Sequence, residues 1–211
     1  MKHLRIAAFA SGSGSNLQSI LDAIESKELD AEITVVIASR PNIPVLERAK
    51  KYGIPSVVIP RKQFAENIDA FSSAIEKVLI PYDIDVIVLC GFLSFLSASF
   101  CRNYRNRILN IHPSLLPAFG GQGAYGMKVH RMALAHGVKI SGCTVMFVDE
   151  GKDTGPIIIQ KAVPVLEDDT EDTLAERVMS AEKVAYPEAL RLFGENRLQV
   201  LGDRVRILRK D

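Results

Sequence analysis

Apolar runs alternate with amphipathic stretches along most of this chain. Arg5–Ala10 is a short apolar run cut off at once by Ser11-Gly12-Ser13-Gly14-Ser15-Asn16, and reads as a buried strand. Leu17, Ile20, Leu21 and Ile24 then recur at helical spacing. Glu32–Ala38 is rich in β-branched residues and predicts a second strand. Pro44–Tyr52 predicts a helix with proline in its first turn. Ser56–Ile59 predicts a third strand, and Phe64–Leu79 a helix stopped by Pro81. Asp85–Cys90 is apolar enough to be buried on both faces.

This alternation predicts an α/β fold, with a doubly wound, mostly parallel, Rossmann-like sheet over roughly the first half. Ile108–His112 predicts a fifth strand, and the glycine-rich stretch Pro113–Gly126 a long loop. Lys128–His136 reads as a helix closed by Gly137. Ile140–Val148 and Ile157–Val165 read as strands joined by Asp149–Pro156, giving a mixed, antiparallel C-terminal part. Thr170–Phe193 is the last long helix, with Asp169 or Thr170 as its cap. Leu198–Leu201 and Arg204–Leu208 flank a Gly202-Asp203 turn. Arg204, Arg206, Arg209 and Lys210 read as a solvated edge strand.

Composition narrows the function classes. A formal net charge of +1 over 211 residues argues against a nucleic-acid footprint. Three scattered cysteines, Cys90, Cys101 and Cys143, fit a reducing cytoplasm and neither a disulfide framework nor a zinc site. The stretch Met1-Lys2-His3-Leu4-Arg5 runs straight into a strand and does not read as a signal peptide, and no apolar run is long enough to span a bilayer. The expectation is one cytoplasmic domain over residues 1–211, a monomer or homodimer, with small-molecule partners, no metal, no nucleic acid and no membrane.

Three stretches could carry chemistry. In Ser11–Asn16, glycines permit a tight turn into a helix whose first amides are free to meet an anion. No Lys-Ser/Thr follows Gly14, and Leu17 stands where a dinucleotide fingerprint has glycine, so a monophosphate is the better ligand. In Leu109–Pro117, strand alternation places Asn110 and His112 on one face, and Pro113 ends the strand. An amide can donate to an oxygen that gains charge, and an imidazole can share that task or move a proton. No serine or cysteine sits in a nucleophile's setting, so direct attack by a substrate amine fits better than an acyl-enzyme. In Asp153-Thr154-Gly155-Pro156, a carboxylate facing His112 would fix its ring. A turn aspartate bonding its own backbone is the competing reading.

Together these residues resemble the folate-dependent formyltransferases, and among them the phosphoribosylglycinamide formyltransferase family. The resemblance runs from Ile6 to about Leu208. It rests on Ser11-Gly12-Ser13-Gly14-Ser15-Asn16-Leu17-Gln18, Asn110-Ile111-His112-Pro113-Ser114-Leu115-Leu116-Pro117, Asp153-Thr154-Gly155-Pro156-Ile157, and Glu182 ahead of Tyr186-Pro187. It implies the formyltransferase fold, with a phosphate-binding half over about 1–105 and a catalytic, folate-binding half over about 106–211. It implies 10-formyltetrahydrofolate as co-substrate and a catalytic set of Asn110, His112 and Asp153. Ser13, Gly14, Ser15 and Asn16 would hold the acceptor's phosphate, with Glu182 near its amine. Arg61, Phe92, Leu93, Ser94, Phe95, Leu96, Asn110, Asp149, Glu150 and Asp153 would meet the folate.

Four features depart from the family pattern. Leu93-Ser94 stands where Met-Arg is common, and Met146 where histidine is common. The Phe119–His130 loop is long and glycine-rich, as a lid over the site would be. Asn42-Ile43-Pro44-Val45 replaces the usual Ala-x-Gly. Two rival readings compete with this one. One is a formyl-folate hydrolase or a formyltransferase for another amine, whose extra N- or C-terminal domains 211 residues leave no room for. The other is a non-catalytic nucleotide- or phosphate-binding sensor domain.

Overall fold

A computed structural model describes residues 2–65 and 67–210. Among the described residues, nine strands form one sheet: β1 (Leu4–Ala10), β2 (Ala31–Ala38), β3 (Ser56–Val58), β4 (Val86–Cys90), β5 (Ile108–His112), β6 (Ile140–Phe147), β7 (Ile157–Pro164), β8 (Leu198–Leu201) and β9 (Arg204–Ile207). Their spatial order is β3-β2-β1-β4-β5-β6-β7-β9-β8. The first five are mutually parallel, and β6 and β7 add antiparallel neighbours beyond β5. The predicted parallel half with a mixed C-terminal part is the observed arrangement.

Six α-helices among the described residues cover the sheet: α1 (Ser15–Glu25), α2 (Pro44–Lys51), α3 (Ile68–Leu79), α4 (Ala98–Asn103), α5 (Met127–His136) and α6 (Glu171–Gly194). Strand alternation sorts the core into two layers. Leu4, Ile6, Ala8 and Ala10 of β1 pack with residues of α1, α2, α5 and α6. Ala7 and Phe9 face the opposite way, against Phe71 and Ile75 of α3 and Phe100 of α4. Strand order reverses direction between β1 and β4, so the crevice outside their carboxyl ends is where such sheets place ligands.

Three expectations need correction. The helix predicted from Phe64 begins at Ile68. Phe64 closes a separate 3-10 turn (Arg61–Phe64), and the Asn67 side chain accepts the Ala70 amide as the true cap. Glu66, inside the predicted helix, lies outside the described residues, as does Met1 of the N-terminal reading. Helix α4 was not predicted, because its six residues are too few to show a period; the Ser97 side chain caps it by accepting the Phe100 amide. The basic strand β9 is not the sheet edge, since β8 lies outside it. At the long helix, Thr170 is the cap, exchanging bonds with Thr173.

Candidate active site

The carboxyl ends of β1, β4 and β5 open onto one rim. After β1, the chain turns through Ser11–Gly14 into α1. Gly14 occupies the helix N-cap at φ +70°, with no side chain capping the helix. A β-carbon there would lie 2.6 Å from Val45 Cγ2, so both its backbone angle and its packing call for glycine. The amides of the first helical turn have no intrahelical partner and sit at the positive end of the helix dipole. The turn is tied to the next strand's exit: the Ser11 amide donates to the Gly91 carbonyl at 3.2 Å, and the Leu93 amide to Ser11 Oγ at 2.9 Å.

Glu182, on α6, is 8 % exposed and approaches this turn beside Asn16. Burial pushes its carboxyl up to about 7, while the Asn16 side chain pulls the other way. Among the described residues, Asn16 Oδ1 is buried without a hydrogen-bond partner. Four residues on, Tyr186 is fully buried, and its hydroxyl spans the carbonyls of Leu89 (3.1 Å) and Leu109 (2.8 Å). One helix therefore pins β4 to β5 and presents Glu182 to the turn after β1.

Asn110 and His112 follow two apart on β5, opposite Met146 and Thr144 of β6. His112 Nε2 lies 2.9 Å from the Phe119 carbonyl. A carbonyl can only accept, so Nε2 carries the proton. Nδ1 faces Asp153, whose Oδ2 is 3.7 Å away. Asp153 is held in turn by the Gly121 amide, which donates to Oδ2 at 2.9 Å. Its backbone is left-handed (φ +57°), an uncommon state for a non-glycine residue. Gly155 makes the tight return possible, because a β-carbon would sit 1.9 Å from the Phe147 carbonyl oxygen.

Two cavities meet at these groups. The first, about 400 Å³, is walled by Leu89, Leu96, Met146 and Val148, with Asp149–Gly155 along its rim. The second, about 490 Å³, holds His112, Leu93 and the Gly121–Gly126 loop. Phe92, Phe95, Asn110, Gly121 and Asp153 line both.

The structure thus brings Asn110, His112 and Asp153 together, and puts the Ser11–Asn16 turn on the same sheet edge. Phe92, Ser94, Phe95, Leu96, Asp149 and Glu150 line the first cavity, whereas Leu93 lines only the second. Ser13 is exposed. Arg61 lines neither cavity: its guanidinium lies 5.6 Å from the Phe71 ring centroid and donates to the Ala65 carbonyl. The glycine-rich loop is bound from across the cleft, the Asp153 carboxylate taking the Gly121 amide and Lys152 Nζ donating to Gln122 Oε1 at 2.9 Å. Sequence reasoning missed the support beneath it. Thr144 Oγ1 donates to the Ser114 carbonyl and receives the Leu116 amide, and Gln160 Nε2 bonds both Thr144 Oγ1 and the Leu116 carbonyl. The β6–β7 pairing that aligns Thr144 with Gln160 is the signal that finds this network.

A model of the family described as formyl transferase matches residues 4–190. The chain belongs to the formyl transferase family. Within it, the chain is 46 % identical over 188 residues to the trifunctional purine biosynthetic protein adenosine-3 of Drosophila melanogaster. The match covers 88 % of the chain and only 14 % of that protein. It is 39 % identical over 193 residues to phosphoribosylglycinamide formyltransferase of Bacillus subtilis, covering 91 % of the chain and 96 % of the relative. Its fold matches glycinamide ribonucleotide transformylase 1 of Symbiobacterium toebii with a TM-score of 0.92 at 44 % identity, over 98 % and 95 % of the two chains. Among the described residues, no helix is long and apolar enough to cross a membrane, and no acid, histidine or cysteine cluster could hold a metal ion.

Proposed function

We propose that this protein transfers a formyl group from 10-formyltetrahydrofolate to the amine of phosphoribosylglycinamide, a step of purine biosynthesis. The observation that carries the reading is the meeting of two cavities at Asn110 and Asp153, with an uncapped helix N-terminus on the same rim. The first cavity suits the folate: its apolar walls accept a flat ring system, and the polar rim at Asp149–Gly155 offers hydrogen bonds to the ring edge. The second would take the acceptor, with its phosphate at Gly14–Asn16.

When bound, the folate supplies an N-formyl carbon, so that a new carbon–nitrogen bond to the amine forms as the bond to the folate nitrogen breaks. Asn110 donates to the formyl oxygen as it gains charge. With Nε2 committed to the Phe119 carbonyl, His112 exchanges a proton at Nδ1. Asp153 faces that nitrogen, so the proton leaving the attacking amine reaches the departing folate nitrogen through this pair. The turn at Gly14–Asn16 binds the far end of the acceptor and orients the amine. In this reading the protein is a cytoplasmic enzyme acting on small molecules.

The test is loss of the formyl group from 10-formyltetrahydrofolate, followed with and without phosphoribosylglycinamide. Loss that depends on the amine is the expected result. Loss without it would make the protein a hydrolase, and no loss in either case a binding domain.

A further inference from the structure

The turn after β1 is held from behind by groups that the proposed chemistry does not use. Three successive carbonyls are drawn to its outer side. That of Ser11 accepts from the Arg40 guanidinium, that of Gly12 from the Val45 amide at 3.3 Å, and that of Ser13 from Arg48 Nη2 at 3.5 Å. Carbonyls turned outward leave the following amides to converge inward, as in a backbone anion nest. Of the three partners, Arg48 also bonds a side chain of α1. Its Nη1 donates to Gln18 Oε1, whose own amide nitrogen bonds Tyr52 Oη at 2.8 Å and Asp22 Oδ1 at 2.6 Å. Its Nε is buried with no hydrogen-bond partner among the described residues and lies 3.6 Å from where a β-carbon on Gly14 would stand. Among the described residues, Arg48 forms no salt bridge with a carboxylate. The half-buried guanidinium of Arg48, with its unpartnered Nε beside Gly14, places a positive charge and a free donor where they favour a bound dianion.

We propose that Arg48 is a positioning residue for the acceptor's phosphate. It fixes the Ser13 carbonyl and Gln18, so that the Gly14–Asn16 amides stay convergent, and it adds one positive charge to the field there. Arg48 therefore sets how strongly the enzyme prefers a phosphorylated acceptor over the same acceptor without its phosphate. This rests on the acceptor reading above.

The experiment compares wild type, Arg48→Gln and Arg48→Lys with phosphoribosylglycinamide and with its dephosphorylated nucleoside form, at saturating folate. In Arg48→Gln, KM for the phosphorylated acceptor rises about tenfold or more, from loss of a charge-assisted contact. The kcat stays within about threefold, KM for the folate is unchanged, and kcat/KM for the dephosphorylated acceptor is unchanged. Arg48→Lys restores the preference in part, since it keeps the charge and loses the planar fork. A merely structural role would lower kcat/KM equally for both acceptors, and that result, or an unchanged KM for the phosphorylated one, overturns the proposal. Thermal shift with ribose 5-phosphate separates this from failure of the acceptor reading. Stabilisation of wild type that Arg48→Gln loses supports Arg48 even if no formyl transfer occurs, and absence of any stabilisation of wild type refutes it.

Discussion

The turn after β1 and the acid–imidazole cluster both hold polar groups still at the rim of one sheet, and they do it by opposite means. The turn is local. Six consecutive residues leave β1 and enter α1, and its shape follows from the left-handed Gly14 and the packing of Val45 against it. The cluster is assembled from afar: β5 gives Asn110 and His112, the loop after it gives the Phe119 carbonyl and Gly121 amide, and the β6–β7 connection gives Asp153. Backbone geometry builds the first, and a network of side chains the second. The first should therefore fail as a binding defect and the second as a chemical one.

The largest effect is expected in the cluster. Asn110→Ala and His112→Ala each lower kcat by about a hundred- to a thousandfold, the usual cost of one donor to a developing oxyanion. Steady-state kinetics check this, with thermal unfolding as the control for folding. Asp153→Asn is the sharper variant, because asparagine tolerates the left-handed backbone that this position adopts. It removes the charge, keeps the turn, and should cost kcat about tenfold to a hundredfold. A rise confined to KM for the acceptor in any of the three would move the cluster to the binding side and erase the contrast.

Next comes the turn. Gly14→Ala must push Val45 aside and place a side chain at φ +70°, a strain of about 1–3 kcal/mol. Ser15→Ala with Asn16→Ala leaves the backbone alone and removes two polar side chains. Both raise KM for the acceptor, about tenfold for the pair, and leave the kcat within a few-fold. Only the glycine variant should lower the unfolding temperature appreciably. A fall in kcat matching that of His112→Ala would show that the turn shares in the chemistry.

The same contrast governs what could be read from the sequence. The turn was legible because its signal is local: two glycines and an N-terminal helical period within a few residues. The sheet was legible too, since buried parallel strands are continuous apolar runs and β5 is bounded by Pro113. Asn110 with His112 was half legible, as strand alternation put them on one face without saying what stood opposite. Asp153 had no such signal, and spacing alone favoured an ordinary turn aspartate; only the resemblance to a family joined it to His112. Thr144, Gln160 and the Phe119 carbonyl depend on antiparallel pairing and loop closure, which periodicity does not report. Arg48 was invisible because it reaches the turn from a different helix.

Glu182 ties the two regions through α6 and should have the smallest effect on turnover with a distinctive effect on stability. Its carboxyl is raised from about 4.5 to about 7, by burial first. Its charged form is therefore disfavoured in the folded state. Below about pH 4.5 the group is protonated folded and unfolded alike, and contributes no penalty. As pH rises toward 7 the unfolded chain loses this proton while the folded one keeps it, so stability falls across that window and levels off above it. The full loss is about 3 kcal/mol. Glu182→Gln should relieve it, raising the unfolding temperature by several degrees at pH 8 and by almost nothing at pH 4, with a modest rise in acceptor KM. Thermal unfolding of both proteins across that range checks the sign. A difference independent of pH would mean that the carboxyl is already charged at neutral pH, paired through Asn16 strongly enough to offset its burial.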